Sequence, residues 1–193
     1  MNKNIALISL FAVLMIAFSG CVGNNTPPAN GTGSDNPKTN PISSQNVSEI
    51  SKIKNLPAGF EYVGNRSLSA DEVKTSYDAE NVSGITGGSE GLYKGTNNST
   101  FYIDVVQLEN KEAANNFIST YKSSFTPLNK GSRFVDDSFN GHPAVKITDY
   151  ITEAGKTAPR YIYIWNNENY VLVVSGSTDN DSLVRQMAVA TGY

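Results

Sequence analysis

Few side chains in this chain carry the chemistry that catalysis or metal binding uses. The sequence has one cysteine, Cys21, and one histidine, His142. His142 follows the turn signal Asn140-Gly141 and precedes Pro143, so we interpret it as an exposed turn residue. With so few of these residues, the usual nucleophilic triads and zinc sites are not available. We therefore expect no metal, no cofactor and no enzymatic activity.

Paired carboxylates are the remaining candidates for acid–base chemistry. Asp136 and Asp137 are adjacent in a predicted strand, where neighbouring side chains point to opposite faces, so they cannot easily act together. Asp179 and Asp181 lie in Ser177–Ser182, ahead of a predicted helix. That segment is similar to the start of a calcium loop but lacks its glycine and distal glutamate. We interpret this second pair as helix-capping residues.

Aromatic side chains alternate along one predicted strand near the C-terminus. Tyr161, Tyr163 and Trp165 share a face, and Tyr170 lies across the next turn. These rings either line a groove for a sugar, peptide or hydrophobic ligand, or form a cross-strand ladder that closes the helix-free face. We favour the ladder. The groove is still the best candidate for a ligand site, with Arg160 as a contact for an anionic group.

The first twenty-one residues have the organisation of a secretory signal. A short polar start, Asn2–Asn4, is followed by an almost unbroken apolar run, Ile5–Phe18. This run is about fourteen residues long, shorter than the roughly twenty that a membrane-spanning helix needs. Its ending, Ala17-Phe18-Ser19-Gly20-Cys21, resembles the lipobox of bacterial and archaeal lipoproteins.

The lipobox resemblance implies both where the protein is located and how it is attached to the membrane. It implies that residues 1–20 are a signal peptide that is removed and that Cys21 carries the lipid. Two or more acyl chains would hold the protein stably on the cell membrane, facing the outside. The alternative is an uncleaved N-terminal anchor in which Cys21 has no role. On either interpretation the rest of the chain lies outside the cell.

Residues 21–53 consist mainly of Asn, Pro, Gly, Ser and Thr, with few large apolar side chains. Such a composition cannot bury enough surface to offset the entropy of the chain. We therefore predict a disordered tether over residues 21–53 and one extracytoplasmic domain over residues 54–193. No cysteine remains for a disulfide in this domain, so we expect its stability to depend on a hydrophobic core.

Asn-x-Ser/Thr triplets, the acceptor motif for N-glycosylation, are frequent in this chain. Each one is a candidate modification site, although a chain rich in Asn and Ser also forms such triplets by chance. The acceptor residues would be Asn24, Asn30, Asn46, Asn65, Asn81, Asn97, Asn98 and Asn180. We expect the sites within the domain to lie in loops or at the ends of elements.

The charge balance excludes one class of partner. The full chain has 15 basic and 18 acidic residues. Removing residues 1–20 would remove Lys3, leaving 14 basic residues against 18 acidic ones and a net charge of −4. A nucleic-acid partner requires a basic face, so we expect none.

Local signals predict three helices. Ser69-Ala70-Asp71-Glu72 has the pattern of a capping box at the start of a short helix, Ala70–Tyr77. Asn110 is placed to cap a second helix, Lys111–Phe125, whose apolar residues recur at helical spacing. A third helix is predicted at Asp181–Thr191.

Alternating apolar residues and turn signals predict the strands, and Asn140-Gly141 predicts a tight hairpin. The glycine-rich stretch Gly84–Gly91 is expected to be a turn rather than a phosphate-binding loop, because its spacing is wrong and no helix follows it directly. The predicted strands are Phe60–Asn65, Leu92–Gly95, Phe101–Leu108, Arg133–Phe139, His142–Thr152, Arg160–Trp165 and Tyr170–Ser175.

This order of elements predicts an α+β fold. Runs of adjacent strands require antiparallel hairpins, which a doubly wound fold does not have. We expect a single twisted antiparallel sheet with about three helices, mostly on one face.

The whole pattern resembles small uncharacterised surface lipoproteins of archaea, methanogens above all. The features that carry this resemblance are the signal and lipobox, the polar tether, and an opening Leu-Pro-x-Gly-Phe-x-Tyr at Leu56–Tyr62. The closing unit, Arg160–Tyr193, is also similar in element order to the PsbP and Mog1 type of α/β sandwich. Neither resemblance implies catalytic residues.

The expected function is a non-enzymatic one at the membrane. We expect a lipid-anchored protein that binds an envelope protein partner or assists a membrane complex. The alternative is a lipoprotein that binds a small ligand in the aromatic groove.

Overall fold

The computed structural model of the protein describes residues 41–42, 45–153 and 155–193. The chain divides into two units, and every described residue belongs to the second, Asp35–Tyr193. The helices are α1 (Val47–Ile50), α2 (Ala70–Ser76), α3 (Lys111–Ser123) and α4 (Asp181–Ala190). The strands are β1 (Glu61–Leu68), β2 (Ile85–Lys94), β3 (Thr100–Leu108), β4 (Phe134–Phe139), β5 (His142–Glu153), β6 (Lys156–Asn167) and β7 (Tyr170–Gly176).

All seven described strands form one sheet in the order β1-β2-β3-β7-β6-β5-β4. Every neighbouring pair is antiparallel. The predicted α+β class with a single antiparallel sheet is therefore confirmed. The chain builds β1 to β3 from one side. It then crosses through α3 to the far edge and returns through the meander β4 to β7, which ends beside β3.

The helices are divided between the two faces of the sheet, whereas the sequence led us to expect them mostly on one face. Face 1 carries α1 and α4, and face 2 carries α2 and α3. The reason lies in the central strands. In β7, for example, Leu172 packs into the face 1 core and Val173 into the face 2 core, so both faces need cover.

The local signals read from the sequence are present as predicted. Ser69 accepts a hydrogen bond from the Glu72 backbone N–H at 3.2 Å, and the Glu72 carboxylate accepts one from the Ser69 N–H at 2.8 Å. Asn110 caps α3 by accepting from the Ala113 N–H at 2.9 Å. These bonds satisfy backbone donors that the first helical turn leaves unpaired.

The hairpin between β4 and β5 turns where the sequence predicted it. Asn140 and Gly141 have φ values of 53° and 81°. Positive φ at both central residues is the type I′ turn, whose twist matches that of the flanking strands.

Strand β2 corrects the expected turn over Gly84–Gly91, because it runs through most of that stretch. Two of its glycines are required by close backbone contacts. A Cβ on Gly88 would lie 2.5 Å from the carbonyl oxygen of Val105, and one on Gly91 would lie 2.4 Å from that of Ser51. Glycine is needed here to let neighbouring backbone approach, not to form a turn.

The described residues 41–42 and 45–53 correct the expected boundary between tether and domain. We call these residues the strap. They lie on face 1, where Ile42, Ile50 and Ile53 are buried in the core. The folded part therefore begins before Lys54, and the disordered tether predicted for residues 21–53 does not extend over the strap.

Within the described part of the chain, the helices lack the combined length and hydropathy that spanning a bilayer requires.

Candidate functional site

Several predicted positions lie outside the described residues. These are the signal peptide, Cys21, the predicted tether up to residue 40, and the acceptor residues Asn24 and Asn30. Their assignments stay predictions. The side chains discussed below belong to the described part of the domain.

The aromatic residues of the predicted groove are mostly core residues. Tyr163 and Trp165 are each 1% exposed and Tyr170 is 2% exposed, while Tyr161 is half-buried at the margin of the same cluster. Phe139 packs edge-on against Trp165 with ring centroids 4.9 Å apart. The rings therefore do not line an open groove in this structure, because α4 and the strap cover face 1.

Arg160 does not share a face with these rings. Its neighbour Ile162 packs into the face 2 core, whereas Tyr161 packs at the face 1 core. Because alternate strand residues point to the same face, Arg160 lies on face 2. It therefore cannot complete a groove on face 1. The amine of Lys146 instead lies 5.8 Å from the centre of the Tyr161 ring.

Hydrogen bonds from sheet side chains hold the C-terminal part of the strap, residues 51–53. The Tyr93 hydroxyl donates to the Ser51 carbonyl at 2.7 Å and accepts from the Ile53 N–H at 2.8 Å. The hydroxyls of Ser51 and Ser89 lie 3.0 Å apart. Burial raises the pKa of Tyr93 to about 12, so its hydroxyl stays protonated and keeps both bonds at ordinary pH.

The N-terminal part of the strap, Ile42 and Gln45, is held by side chains beside the turn between β6 and β7 and by the C-terminal Tyr193. The Ile42 N–H donates to the Asn167 Oδ1 at 3.1 Å. The Tyr170 hydroxyl donates to the Gln45 carbonyl at 3.4 Å, and the Tyr193 hydroxyl to the Gln45 Oε1 at 2.9 Å. The strap is thus bound mainly through side chains of the domain rather than through a strand ladder.

His142 begins β5 and is half-buried, not an exposed turn residue. Its Nε2 lies 3.2 Å from the Asn167 Nδ2. Burial lowers the pKa of His142, with Lys111 acting in the same direction and Glu168 in the opposite one. His142 is therefore connected to the strap through Asn167.

The two aspartate pairs are separated by the fold. Asp137 forms a two-pronged ion pair with Arg185 of α4 at 2.7 and 3.0 Å, and this bonding lowers the pKa of Asp137. Asp136 lies on face 2 and is exposed. Opposite faces keep these two carboxylates apart, as the sequence predicted.

The second pair does not provide the cap of α4. Asn180 is the capping residue, and its side chain accepts from the Ser182 N–H at 3.1 Å. Asp181 accepts from the Tyr163 hydroxyl at 2.7 Å and from the Lys146 amine at 2.8 Å. Asp179 is exposed. The capping role expected for the pair therefore belongs to the residue between them.

The described acceptor residues Asn46, Asn65, Asn81, Asn98 and Asn180 are all exposed. Asn46 and Asn180 are helix caps, and Asn98 ends a short 3-10 turn, Thr96–Asn98, which also contains Asn97. Asn65 lies within β1 rather than at a strand end, and its Nδ2 donates to the Ser48 carbonyl at 3.0 Å.

A buried carboxylate on face 2 is the feature that our sequence interpretation missed. Asp104 lies in β3, and one of its oxygens accepts a hydrogen bond from the Tyr77 hydroxyl. Its other oxygen is buried and has no hydrogen-bond partner in the described structure. Burial raises the pKa of Asp104 to about 6, and nearby Glu90 acts in the same direction.

Charged groups extend from Asp104 to the edge of the sheet. Arg66, Glu90 and Asp104 are paired across β1, β2 and β3. Arg66 bonds Glu90 at 2.8 Å and Glu72 at 3.1 Å. A carboxyl that titrates near pH 6 can exchange a proton at near-neutral pH, which is the chemistry that this cluster offers. Its signal in the sequence was a single charged residue inside the apolar stretch Phe101–Leu108.

Part of face 2 is not covered by α2 or α3. Tyr102 is 37% exposed there, and its cross-strand neighbours are Leu92 on one side and Ser175 on the other. Gly64, Arg66, Glu90 and Leu92 line a shallow depression of about 210 Å³ beside it. We call Gly64, Leu92, Tyr102 and Ser175 the open patch.

Among the described residues no group of three or more His, Cys, Asp or Glu side chains could hold a metal ion.

Comparison with known proteins gives one structural similarity. No model of a protein family matches this chain, and no curated protein matches it. A solved structure, the extracellular domain of PknH from Mycobacterium tuberculosis, aligns with a TM-score of 0.44 and 11% sequence identity. The alignment covers 80% of this chain and 96% of that one.

Proposed function

We propose that this protein is a membrane-anchored, extracytoplasmic lipoprotein with a non-enzymatic role, in which it binds a protein partner in the cell envelope. The observation that carries the anchor is the position of Cys21, directly after the apolar run and the small residues Ser19 and Gly20. A predicted tether separates that cysteine from Ile42, the first core residue of the described domain.

The attachment of the chain to the domain supports this arrangement. The strap packs into the core of face 1 and is hydrogen-bonded to the side chains of Tyr93 and Asn167. A pull on the tether would therefore be resisted by the buried residues of the strap and by these hydrogen bonds. Face 2 lies on the other side of the sheet from the point of entry. An envelope partner can therefore approach face 2 without meeting the strap.

The open patch is the surface that we assign to this partner. Tyr102 provides a large ring with a polar end, and Arg66 lies two strands away on the same face. Tyr and Arg are the residue types that most often carry binding energy at protein interfaces, particularly around a small apolar centre. The adjoining carboxylates of Glu72 and Glu90 provide a polar rim.

The second interpretation, a small ligand on the aromatic rings, is less well supported. Tyr163, Trp165 and Tyr170 are buried, and the strap occupies the face on which such a ligand would lie. That function would require the strap to leave.

Cross-linking on intact cells tests the proposal. Cells would produce the full chain, and proteins joined to it would be identified and quantified by mass spectrometry. We expect one reproducible protein neighbour, whose yield falls at least ~tenfold in Tyr102→Ala, because truncating an interface hot spot weakens binding by that order. Cys21→Ser should leave the chain unprocessed or release it into the medium.

Tyr150→Ala is the matched control, because Tyr150 is also an exposed tyrosine in a strand but points to face 1. It should leave the cross-linked yield unchanged. Equal losses in both variants, or no neighbour at all, would contradict the assignment of the open patch. Unchanged membrane retention and processing of Cys21→Ser would contradict the lipid anchor separately.

A further inference from the structure

The two edges of the sheet differ in how their backbone is protected. Strands β1 and β4 are the end strands of the described sheet, so each has one side without a neighbouring strand. Exposed edges pair readily with another chain, and folded proteins usually protect them. An edge left without such protection is a candidate site for the addition of a further strand.

The free edge of β4 is already bonded by side chains. The backbone bond between β5 and the residue before β4 sets the alternation, so the outward residues of β4 are Phe134, Asp136 and Ser138. The Ser138 N–H donates to the Asp137 Oδ1 at 2.7 Å, and the Ser138 carbonyl accepts from Arg185 at 3.3 Å. The Phe134 carbonyl accepts from the Ser132 hydroxyl. A new strand could pair along β4 only by breaking these bonds.

The free edge of β1 has no such bonds in the described structure. The Gly95 N–H donates to the Ser99 carbonyl at 2.8 Å, which sets the alternation in the hairpin between β2 and β3. Followed along β2 and across to β1, this alternation directs the backbone groups of Arg66 toward β2. The N–H and carbonyl groups of Asn65 and Ser67 therefore point outward, away from the sheet.

Two copies of β1 fit each other in one antiparallel register. The outward groups of Asn65 pair with those of Asn65 in the second copy. Gly64 then lies opposite Arg66 of the second copy. A Cβ on Gly64 would meet nothing within 4 Å, so the arginine has room there. The next register with the same alternation, Asn65 opposite Ser67, would place Arg66 opposite Arg66, where like charges repel.

Charge also favours this register. Because of the bulge in β1, the face 2 residue that precedes Gly64 is Glu61, whose side chain is exposed. Arg66 of the second copy is diagonal to Glu61, within reach of a long side chain. Arg66 bonds Glu90 through Nε and Glu72 through Nη1, so its Nη2 can donate to a third carboxylate.

We propose that two copies of this chain pair through β1, so that their two sheets join into one. The two-fold axis that relates identical antiparallel strands is perpendicular to the sheet. Each face of one copy therefore continues into the same face of the other. Both straps lie on one side of the joined sheet, and both open patches lie on the opposite side.

The consequence of pairing for the envelope partner rests on the proposed function. Two straps on the same side suit two copies anchored in one membrane, and a shared membrane raises their effective concentration. Gly64 and Leu92 extend each open patch to the junction, so pairing joins the two patches into one surface. Pairing itself depends on neither lipid nor partner. A monomeric chain would contradict only the dimer, whereas a missing envelope neighbour would contradict only the proposed function.

Disulfide formation tests the pairing and its register. The full chain in detergent micelles would carry Asn65→Cys or Ser67→Cys, be oxidised, and be analysed on non-reducing gels. In the proposed register the two Cα atoms at position 65 are about 5.5 Å apart, which a disulfide can bridge. Those at position 67 are at least about 13 Å apart, since four residues separate them along the strand. We expect Asn65→Cys to cross-link and the matched Ser67→Cys, which shares its exposure and its Cys21, to stay largely monomeric.

A pair of substitutions at one position tests the backbone bonds. Asn65→Pro removes the outward N–H but no bond to β2, whereas Asn65→Ala keeps that N–H. Both lose the side-chain bond to the Ser48 carbonyl, so the alanine variant is the control. Sedimentation equilibrium in density-matched detergent should give twice the monomer mass for wild type and Asn65→Ala. The dissociation constant should rise at least ~tenfold in Asn65→Pro, because one donor is lost from each copy.

Several results would overturn the dimer. One is a wild-type chain that sediments as a monomer at every concentration. Others are equal cross-linking of the two cysteine variants, or equal dissociation constants for Asn65→Pro and Asn65→Ala. A glycan on Asn65 in protein from the source cells would also do so, because it would occupy the junction between the two strands.

Discussion

Asp104 shows at the scale of one residue how burial and hydrogen bonding compete. Its pKa of about 6 lies above that of an exposed aspartate, because burial outweighs the hydrogen bond from Tyr77 and the attraction of Arg66. The native state therefore binds a proton more tightly than the unfolded chain does. Such a group contributes stability below its unfolded pKa, near 4, and this contribution is lost as pH rises through about 6.

Asp104→Asn should remove that pH dependence. The amide oxygen can still accept from Tyr77, while the buried charge is absent at every pH. We expect the variant and the wild type to have similar free energies of unfolding at pH 4.5. The variant should be more stable by roughly 2 kcal/mol at pH 7.5, since one pKa unit corresponds to about 1.4 kcal/mol. Urea denaturation of residues 22–193 across this range measures the difference.

Asp136→Asn is the control, because Asp136 points to the same face but is exposed. Its unfolding curves should follow those of the wild type at each pH. Glu72 and Asp137 have lowered pKa values, so their contributions are lost only as pH falls below the range compared. Parallel stability curves for wild type and Asp104→Asn would show that Asp104 does not titrate as described.

At the scale of elements, the sequence predicted what depends on near neighbours. The capping box at Ser69, the cap at Asn110 and the turn at Asn140-Gly141 each need only four or five consecutive residues, and each is present. Propensity and capping act over one helical turn, so they can be read from the chain directly. The element order and the α+β class followed from these signals.

The elements that the sequence did not reveal depend on distant partners. The strap has only isolated apolar residues among polar ones, and its bonds reach Tyr93 and Asn167, 40 and 125 positions away. Strand β2 was predicted as a turn because it is rich in glycine. Two of these glycines are needed because the backbone of other segments approaches them closely. Neither requirement leaves a periodic pattern along the chain itself.

The close approach of Gly91 in β2 to the Ser51 carbonyl allows a test of whether the strap packs against the sheet. In Gly91→Ala the new Cβ would lie 2.4 Å from the Ser51 carbonyl oxygen, so the strap or β2 must shift. We expect a loss of about 1–3 kcal/mol in the free energy of unfolding, as is usual for overpacking. Exchange of the Ser51 and Ile53 amides should also become faster. Chemical denaturation and NMR exchange measure the two effects.

Gly64→Ala provides the matched control in the neighbouring strand. A Cβ on Gly64 would meet nothing within 4 Å. This variant should be neutral or slightly stabilising, because alanine restricts the unfolded chain more than glycine does. A Gly91→Ala variant as stable as Gly64→Ala would mean that the strap does not pack against β2.

At the scale of the whole molecule, the sequence identified the aromatic residues of the predicted groove but not whether other parts of the chain cover them. The aromatic spacing of Tyr161, Tyr163 and Trp165 placed three rings correctly on one face of a central strand. Whether that face is open depends on the strap and α4, which reach it from opposite ends of the domain sequence. The acidic site at Asp104 was missed for the same reason, since the hydroxyl that bonds it belongs to Tyr77, 27 positions away in the chain.

The strap therefore decides how much of the chain is needed for a folded domain. Residues 54–193, the domain expected from the sequence, lack three buried isoleucines, Ile42, Ile50 and Ile53. Burial of one such side chain contributes about 1.5–3 kcal/mol, so their combined loss approaches the whole stability of a typical domain, about 5–15 kcal/mol. We expect residues 41–193 to unfold cooperatively and residues 54–193 to be strongly destabilised or only partly folded.

Trp165 reports the difference, because it is the only tryptophan in the sequence and is covered on face 1. In residues 41–193 acrylamide should quench its fluorescence weakly. In residues 54–193 quenching should approach that of free tryptophan, and the emission should shift to longer wavelength. Adding a peptide of residues 41–53 to a folded chain of residues 54–193 should restore part of the protection of Trp165 from acrylamide. Equal quenching in the two chains, with equal denaturation midpoints, would place the domain boundary at Lys54 and make the strap dispensable for folding.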